Sequence, residues 1–179
     1  MKLLKIISDA KDKSLDFGAR EASRSIVFDK NYKIPILHVT KFNYHKLPGG
    51  GIEKGEDKIK ALNREMLEKT GCKIEVKGEV GKIIEFRSKF KLKQTSYCYF
   101  GKVVNVGSSK LEQDEINDGF ELVWLRVNEA IQLFEKDLPT NYEGKFIQNR
   151  DLTFLQKLKY VLQDADKETK EILADKKLM

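Results

Sequence analysis

The chain has 179 residues, 40% of them hydrophobic and 35% charged, which suits one well-packed domain and is too short for two. Its net charge of +6 and pI of about 9.1 raise the question of nucleic acid, but the lysines are spread along the whole chain and alternate with acids. A nucleic-acid stripe needs a dense basic block interleaved with aromatics, so no nucleic-acid partner is expected, although small polyanions such as nucleotides would be drawn to this field.

In chain order, "MKLLKIIS" reads as a short strand or edge segment. Its apolar run stops well short of a signal peptide or membrane span, so no membrane partner is expected. Next, "ASRSIVFD" (Ala22–Asp29) is a β-branched run ended by the turn "DKNYK". The following run, "IPILHVTKF", carries Pro35 at an edge or strand-start position, and the two runs predict a hairpin. Gly49 to Gly55 predicts a loop, because such glycine density suits neither helix nor strand. Asp57 is the predicted N-cap of a helix from Lys58 to Thr70, with Ile59, Leu62 and Met66 as its buried stripe and Gly71 as its stop.

Beyond Gly71 the pattern turns to strand, in "KIEVKGEVGKIIEF", "QTSYCYFGKVVNV" and "FELVWLRV" (Phe120–Val127). A short helix "NEAIQLFEK" follows. A longer helix runs from about Phe146 to Leu162, with Phe154, Leu155, Leu158, Val161 and Leu162 on one face. The last residues, "DKETKEILADKKLM", are so charged that they predict a solvated or frayed helical tail. The two cysteines, Cys72 and Cys98, form no framework pattern, and reduced thiols in a cytoplasmic protein are expected. One α/β domain over residues 1–179 is the predicted organisation.

The stretch "LPGGGIEKGEDKIKALNREMLEKTGC" (Leu47–Cys72) carries the chemistry. A glycine loop brings backbone groups close to a ligand, and the helix N-terminus after it adds partial positive charge. Glu65 and Glu68, three residues apart, project from one side of the helix, away from the Ile59, Leu62 and Met66 stripe. Adjacent carboxylates on a rigid helix call for a hard cation such as magnesium, which clamps phosphate oxygens and activates water. Glu56 and Arg64 are placed to pair across the loop–helix junction. Set against this is the reading of a surface helix with ordinary charge pairs after a glycine turn, which suffices for Glu65 or Glu68 alone but not for the whole set.

The stretch resembles the box of the Nudix hydrolases. That box runs Gly, five residues, Glu, seven residues, Arg-Glu, an apolar residue, any residue, Glu-Glu, any residue, Gly and an apolar residue. Gly50, Glu56, Arg64, Glu65, Met66, Glu68, Gly71 and Cys72 match, and "LPGG" is the usual lead-in. The resemblance implies an α/β/α sandwich around a mixed sheet, extending over about 23–162. It also implies divalent-cation-dependent cleavage of a pyrophosphate bond in a nucleoside diphosphate derivative or nucleoside triphosphate, with Mg2+ as the ion and Mn2+ as a substitute.

By position, the Gly49 carbonyl, Glu65 and Glu68 would hold the metal, while Gly50, Glu56 and Arg64 would orient the loop and helix. A further carboxylate is expected from the loop before the Trp124 strand, where Asp114, Glu115 and Asp118 stand, and Glu115 is the choice. Glu65 or that loop acid would take the proton of the attacking water. Arg24, opening the first central strand, and Arg20 are candidates for phosphate contact, but such arginines are more often surface charge and both are left out of the site. Two copies pairing through edge strands or helices would fit the resemblance as well. The sequence departs from the box at Lys69, where the family places a metal-binding Glu. That departure leaves three readings open: a nucleotide-binding or interaction module of the same fold without turnover, a metal held by Glu65, Glu68 and a loop acid such as Glu115, or a Lys69 that turns away, its long stem carrying the head to solvent or a substrate phosphate.

Overall fold

The structure, a computed structural model, describes residues 1–10 and 16–163, apart from the side chains at 159 and 161–163. The charged C-terminal run therefore lies outside the described residues, as do the side chains of Val161 and Leu162.

A five-stranded mixed sheet forms the centre. Its strands are β1 (Leu3–Ser8), β2 (Gly18–Phe28), β5 (Gly49–Gly51), β6 (Cys72–Arg87) and β7 (Leu92–Val106), in the order β1-β6-β7-β2-β5. The β1–β6 and β2–β7 pairs are parallel, and the β6–β7 and β2–β5 pairs antiparallel. A smaller antiparallel sheet, β4-β3-β8, is built from β3 (Ile34–Val39), β4 (Tyr44–Lys46) and β8 (Phe120–Leu125). The helices are α1 (Lys58–Thr70), α2 (Gln113–Asn117), α3 (Val127–Lys136) and α4 (Tyr142–Gln163).

Strand side chains alternate between faces, and here the alternation builds the expected sandwich. Val27 and Tyr99 face α1 and cluster with its Leu62 and Met66 and with Cys72. Ile26, Phe28, Ile83, Cys98 and Phe100 turn to the other face, where α3 brings Ala130 and Phe134 and α4 brings Phe154, Leu155 and Leu158. Each large apolar side chain buried this way contributes about 2 kcal/mol.

Four local expectations change. The turn after β2 forms, with the Asp29 carboxylate accepting from the Asn31 and Lys33 amides at 2.8 and 2.7 Å. The strands it joins are not a hairpin, however. β2 is already flanked by β7 along its length and by β5 at Ala22–Arg24 in its middle, and β3 pairs in the smaller sheet. There Pro35 sits near the strand start, beyond the reach of β4, which pairs only with Leu37 to Val39. The glycine run opens as a strand rather than a loop, since Gly49–Gly51 pairs with Ala22–Arg24. A Cβ at Gly49 would run into the Ser23 backbone, so the pairing depends on glycine there. Finally, the chain leaves the Trp124 strand at Leu125, and the last helix begins at Tyr142, earlier than its apolar stripe suggested.

Candidate active site

Local signals place α1. Asp57 accepts from the Ile59 and Lys60 amides at 2.9 and 3.1 Å, and Gly71 ends the helix at φ 71° in the left-handed region. With Leu62 and Met66 held against the sheet, Glu65 is carried to the β5 side and is buried. It lies so close to Gly50 that a Cβ there would land on its carboxylate.

Arg64 locks this junction. Its Nε and Nη2 donate to the two Glu56 carboxylate oxygens at 3.1 and 2.9 Å, and Nη2 also reaches the Gly51 carbonyl at 3.0 Å. Nη1 donates to Glu65 Oε1 at 2.9 Å and more weakly to Glu68 Oε2 at 3.5 Å. The Arg64 hydrogen bond holds the Glu56 carboxyl below its usual range, and the same bond raises the guanidinium. Glu65 Oε2, the other oxygen, is buried without a hydrogen-bond partner.

Lys69 does not turn away to solvent. Its side chain is only 8% exposed, and Nζ lies 2.7 Å from Glu115 Oε1 and 3.8 Å from Glu65 Oε2. Burial opposes the ammonium, but the Glu115 hydrogen bond and the charges of Glu115, Glu65 and Glu112 outweigh it, so its pKa is raised. Glu115 is held from the other side as well, because its Oε2 accepts from the Glu112 amide at 3.0 Å in a capping box that opens α2. Asp118 instead pairs with Lys41 at 2.9 Å.

These groups meet in a cavity of about 200 Å3. Gly49, Gly50, Glu65 and Glu115 line it, together with Lys69; Glu56, Arg64 and Glu68 stand outside its lining. Most of the remaining charged lining is basic and went unselected in the sequence: Arg20, Arg24, Lys46, Arg87 and Arg150, with Glu143 among them. Arg24 is 5% exposed rather than a surface charge. It donates through Nη1 to the Ser23 carbonyl at 3.2 Å, its Nε is buried without a partner, and no carboxylate pairs with it among the described residues. Lys46 likewise has no carboxylate partner there and lies 4.9 Å from the centre of the Phe120 ring. Burial, followed by repulsion from Arg150, pulls Arg24 down to about 10. Burial, followed by Arg24 and Arg150, pulls Lys46 down to about 8.

Arg87 and Arg150 are compensated. Arg150 donates to both Asp151 oxygens at 2.6 and 3.0 Å and to Glu85 at 3.4 Å, and Arg87 reaches Glu85 at 2.9 Å and Glu143 at 2.7 Å. The sequence did hold a signal for this wall. Arg24 shares the face of Ile26 and Phe28, and Glu85 and Arg87 share that of Ile83, so charges fall where strand periodicity demands apolar residues.

The unpartnered Glu65 oxygen fits a cation ligand. However, no group of three or more His, Cys, Asp or Glu side chains among the described residues is arranged to hold a metal. Two unit charges about 4 Å apart interact by about 4 kcal/mol at near-surface screening, so Lys69 weighs heavily on any cation that enters.

The profile of the NUDIX domain matches residues 19–149. This chain belongs to the Nudix family. Its Nudix relatives include diphosphoinositol polyphosphate phosphohydrolase 2 of Rattus norvegicus, 27% identical over 131 residues, covering 70% of this chain and 69% of the relative. Nudix hydrolase 13, mitochondrial, of Arabidopsis thaliana is 30% identical over 120 residues, covering 63% and 58%. Among solved structures, the MutT protein of Methanosarcina mazei Go1 superposes with a TM-score of 0.58 at 17% identity, over 83% of this chain and 99% of that one. The Nudix fold is thus shared well beyond the box.

Proposed function

We propose that the chain is a pyrophosphohydrolase, cleaving the phosphoanhydride bond of a nucleoside diphosphate derivative, a nucleoside triphosphate or a comparably phosphorylated small molecule. One observation carries the reading: Glu65, whose Oε2 is buried without a hydrogen bond, lines a cavity together with Arg20, Arg24, Lys46, Arg87 and Arg150. Family membership and relatives named as phosphohydrolases support it.

The substrate's phosphates would lie against Arg20, Arg24 and Lys46, lining cations without carboxylate partners among the described residues, which would neutralise the charge developing on the phosphoryl oxygens. Glu65 would take the proton of the attacking water through Oε2, the oxygen without a hydrogen bond, while Arg64 fixes the other. Nudix hydrolases generally use divalent ions. Here Mg2+ or Mn2+ would be held by Glu65, Glu68 and the Gly49 carbonyl, and when bound it would supply charge neutralisation and a more acidic water. Glu115, already committed to Lys69 and the α2 cap, would act by holding Lys69 rather than as the base. The two buried cysteine thiols are unpaired and pushed up by burial, which suits a reducing compartment such as the cytoplasm. No helix among the described residues is long and apolar enough to cross a membrane.

The test is a substrate panel of nucleoside triphosphates, ADP-ribose, nucleotide sugars and diphosphoinositol polyphosphates, each with Mg2+, with Mn2+ and with chelator. Cleavage of at least one compound is expected, with Glu65→Gln lowering kcat by about two to four orders of magnitude. Binding across the panel without cleavage under any condition would overturn the reading in favour of a non-catalytic nucleotide-binding module.

A further inference from the structure

We infer that the Lys69 ammonium is a resident cation of this cavity: it binds a diphosphate group directly, without added metal, and keeps the affinity for divalent ions low. This deepens the hydrolase reading and rests on it for the identity of the site.

Three observations converge. A lysine at the end of a helix normally extends its head to water, yet the Lys69 side chain is 8% exposed and turned inward. Its Nζ stands between two carboxylates from different elements, 2.7 Å from Glu115 on α2 and 3.8 Å from Glu65 Oε2 on α1. Glu115 cannot swing away cheaply, because its second oxygen closes the α2 capping box at 3.0 Å. A positive charge is therefore built into the place where the box residue would otherwise add a negative one.

An ammonium carries three N–H donors, and Glu115 takes one of them. Glu65 Oε2 lies beyond hydrogen-bond distance and carries no hydrogen bond of its own. Lys69 lines the cavity together with Arg24 and Lys46, so donor capacity remains for an anion there. A pyrophosphate group carries oxygens enough for several cations at once. A divalent ion approaching Glu65 Oε2 in the same cavity would instead meet the ammonium 3.8 Å from that oxygen.

The experiment uses the full chain and two binding measurements that need no turnover. Inorganic pyrophosphate is titrated calorimetrically in the presence of EDTA, and Mn2+ binding is followed by electron paramagnetic resonance. The parent is expected to bind pyrophosphate in EDTA. Lys69→Gln should weaken that binding by about ten- to a hundredfold, the span of one lost charged hydrogen bond. Lys69→Arg, which keeps the charge, should retain it within about threefold. Lys69→Glu should bind Mn2+ at least about tenfold more tightly than the parent, because it adds a carboxylate and removes a positive charge.

Pyrophosphate affinity in EDTA that is absent from the parent, or unchanged in Lys69→Gln, overturns the inference. So does parental Mn2+ affinity equal to that of Lys69→Glu. Thermal melts identify any variant that fails to fold, and the Gln and Arg variants decide the question if Lys69→Glu is among them. A panel with no cleaved substrate defeats the hydrolase reading without moving these binding constants. Unchanged constants in an active enzyme defeat only the role given to Lys69.

Discussion

Lys46 shows how a single residue in the basic wall reports on its ligand. Burial, with Arg24 and Arg150 nearby, brings it from 10.5 down to about 8, so in the free protein it loses its proton well before an ordinary lysine does. A bound phosphate favours the ammonium and pushes the value back up. The sign follows directly. Well below pH 8 Lys46 is charged with or without ligand, and binding exchanges no proton there. Between about 8 and 10.5 the free side chain is neutral and binding must take a proton up, so affinity falls as pH rises. Calorimetry of pyrophosphate binding at pH 8.5–9 in buffers of different ionisation heat, roughly half to one unit above that value, should give net proton uptake that Lys46→Met removes. Uptake unchanged in that variant would assign the proton to another group.

Among the elements, α1 and β5 divide the work between stability and chemistry. The Asp57 cap serves the helix: Asp57→Ala should cost about 1 kcal/mol in denaturant unfolding while pyrophosphate affinity stays near the parental value. Gly50 serves the site, since a Cβ there lands on the Glu65 carboxylate. Gly50→Ala should therefore cut any hydrolytic rate far more than it lowers Tm, and equal losses in both would contradict that division. The limits of α1 were legible because Asp57, the Leu62–Met66 spacing and Gly71 are contiguous signals. The fate of Gly49–Gly51 was not, because what makes those glycines a strand is β2, more than twenty residues earlier in the chain. The same blindness joined β2 and β3 into a hairpin: turn chemistry at Asp29 specifies a reversal, while the neighbours β7 and β5 decide which sheet receives the next strand.

Across the whole molecule, one face of the central sheet is apolar at one end and charged at the other. Ile26, Phe28, Ile83, Cys98 and Phe100 give way to Arg24, Glu85, Arg87, Gln94 and Ser96. Family resemblance carried the box, but it did not reach this network, whose members are far apart in sequence; Glu85 and Arg150 are 65 positions apart. Apart from Arg24, which has no carboxylate partner among the described residues, the charged end survives burial because its members are paired with one another. Glu85 accepts from Arg87, Gln94 and Arg150, and Asp151 grips Arg150 through both oxygens while also accepting from the Leu47 amide at 2.9 Å. Asp151 thus fastens α4 to the chain just before the β5 glycines, joining the frame of the domain to the floor of the site. Arg150 and Asp151 are both fully buried, so Asp151→Ala leaves a guanidinium with only the more distant Glu85 and an amide with no acceptor. Breaking one side of such a pair costs about 3–5 kcal/mol, a large share of a typical domain's stability of about 5–15 kcal/mol. Urea unfolding of Asp151→Ala should show a midpoint lowered by that free energy divided by the slope, with the slope itself unchanged. A loss below about 1 kcal/mol, the scale of an exposed pair, would mean that water or another group reaches Arg150 and that the buried network is not what ties α4 to the site.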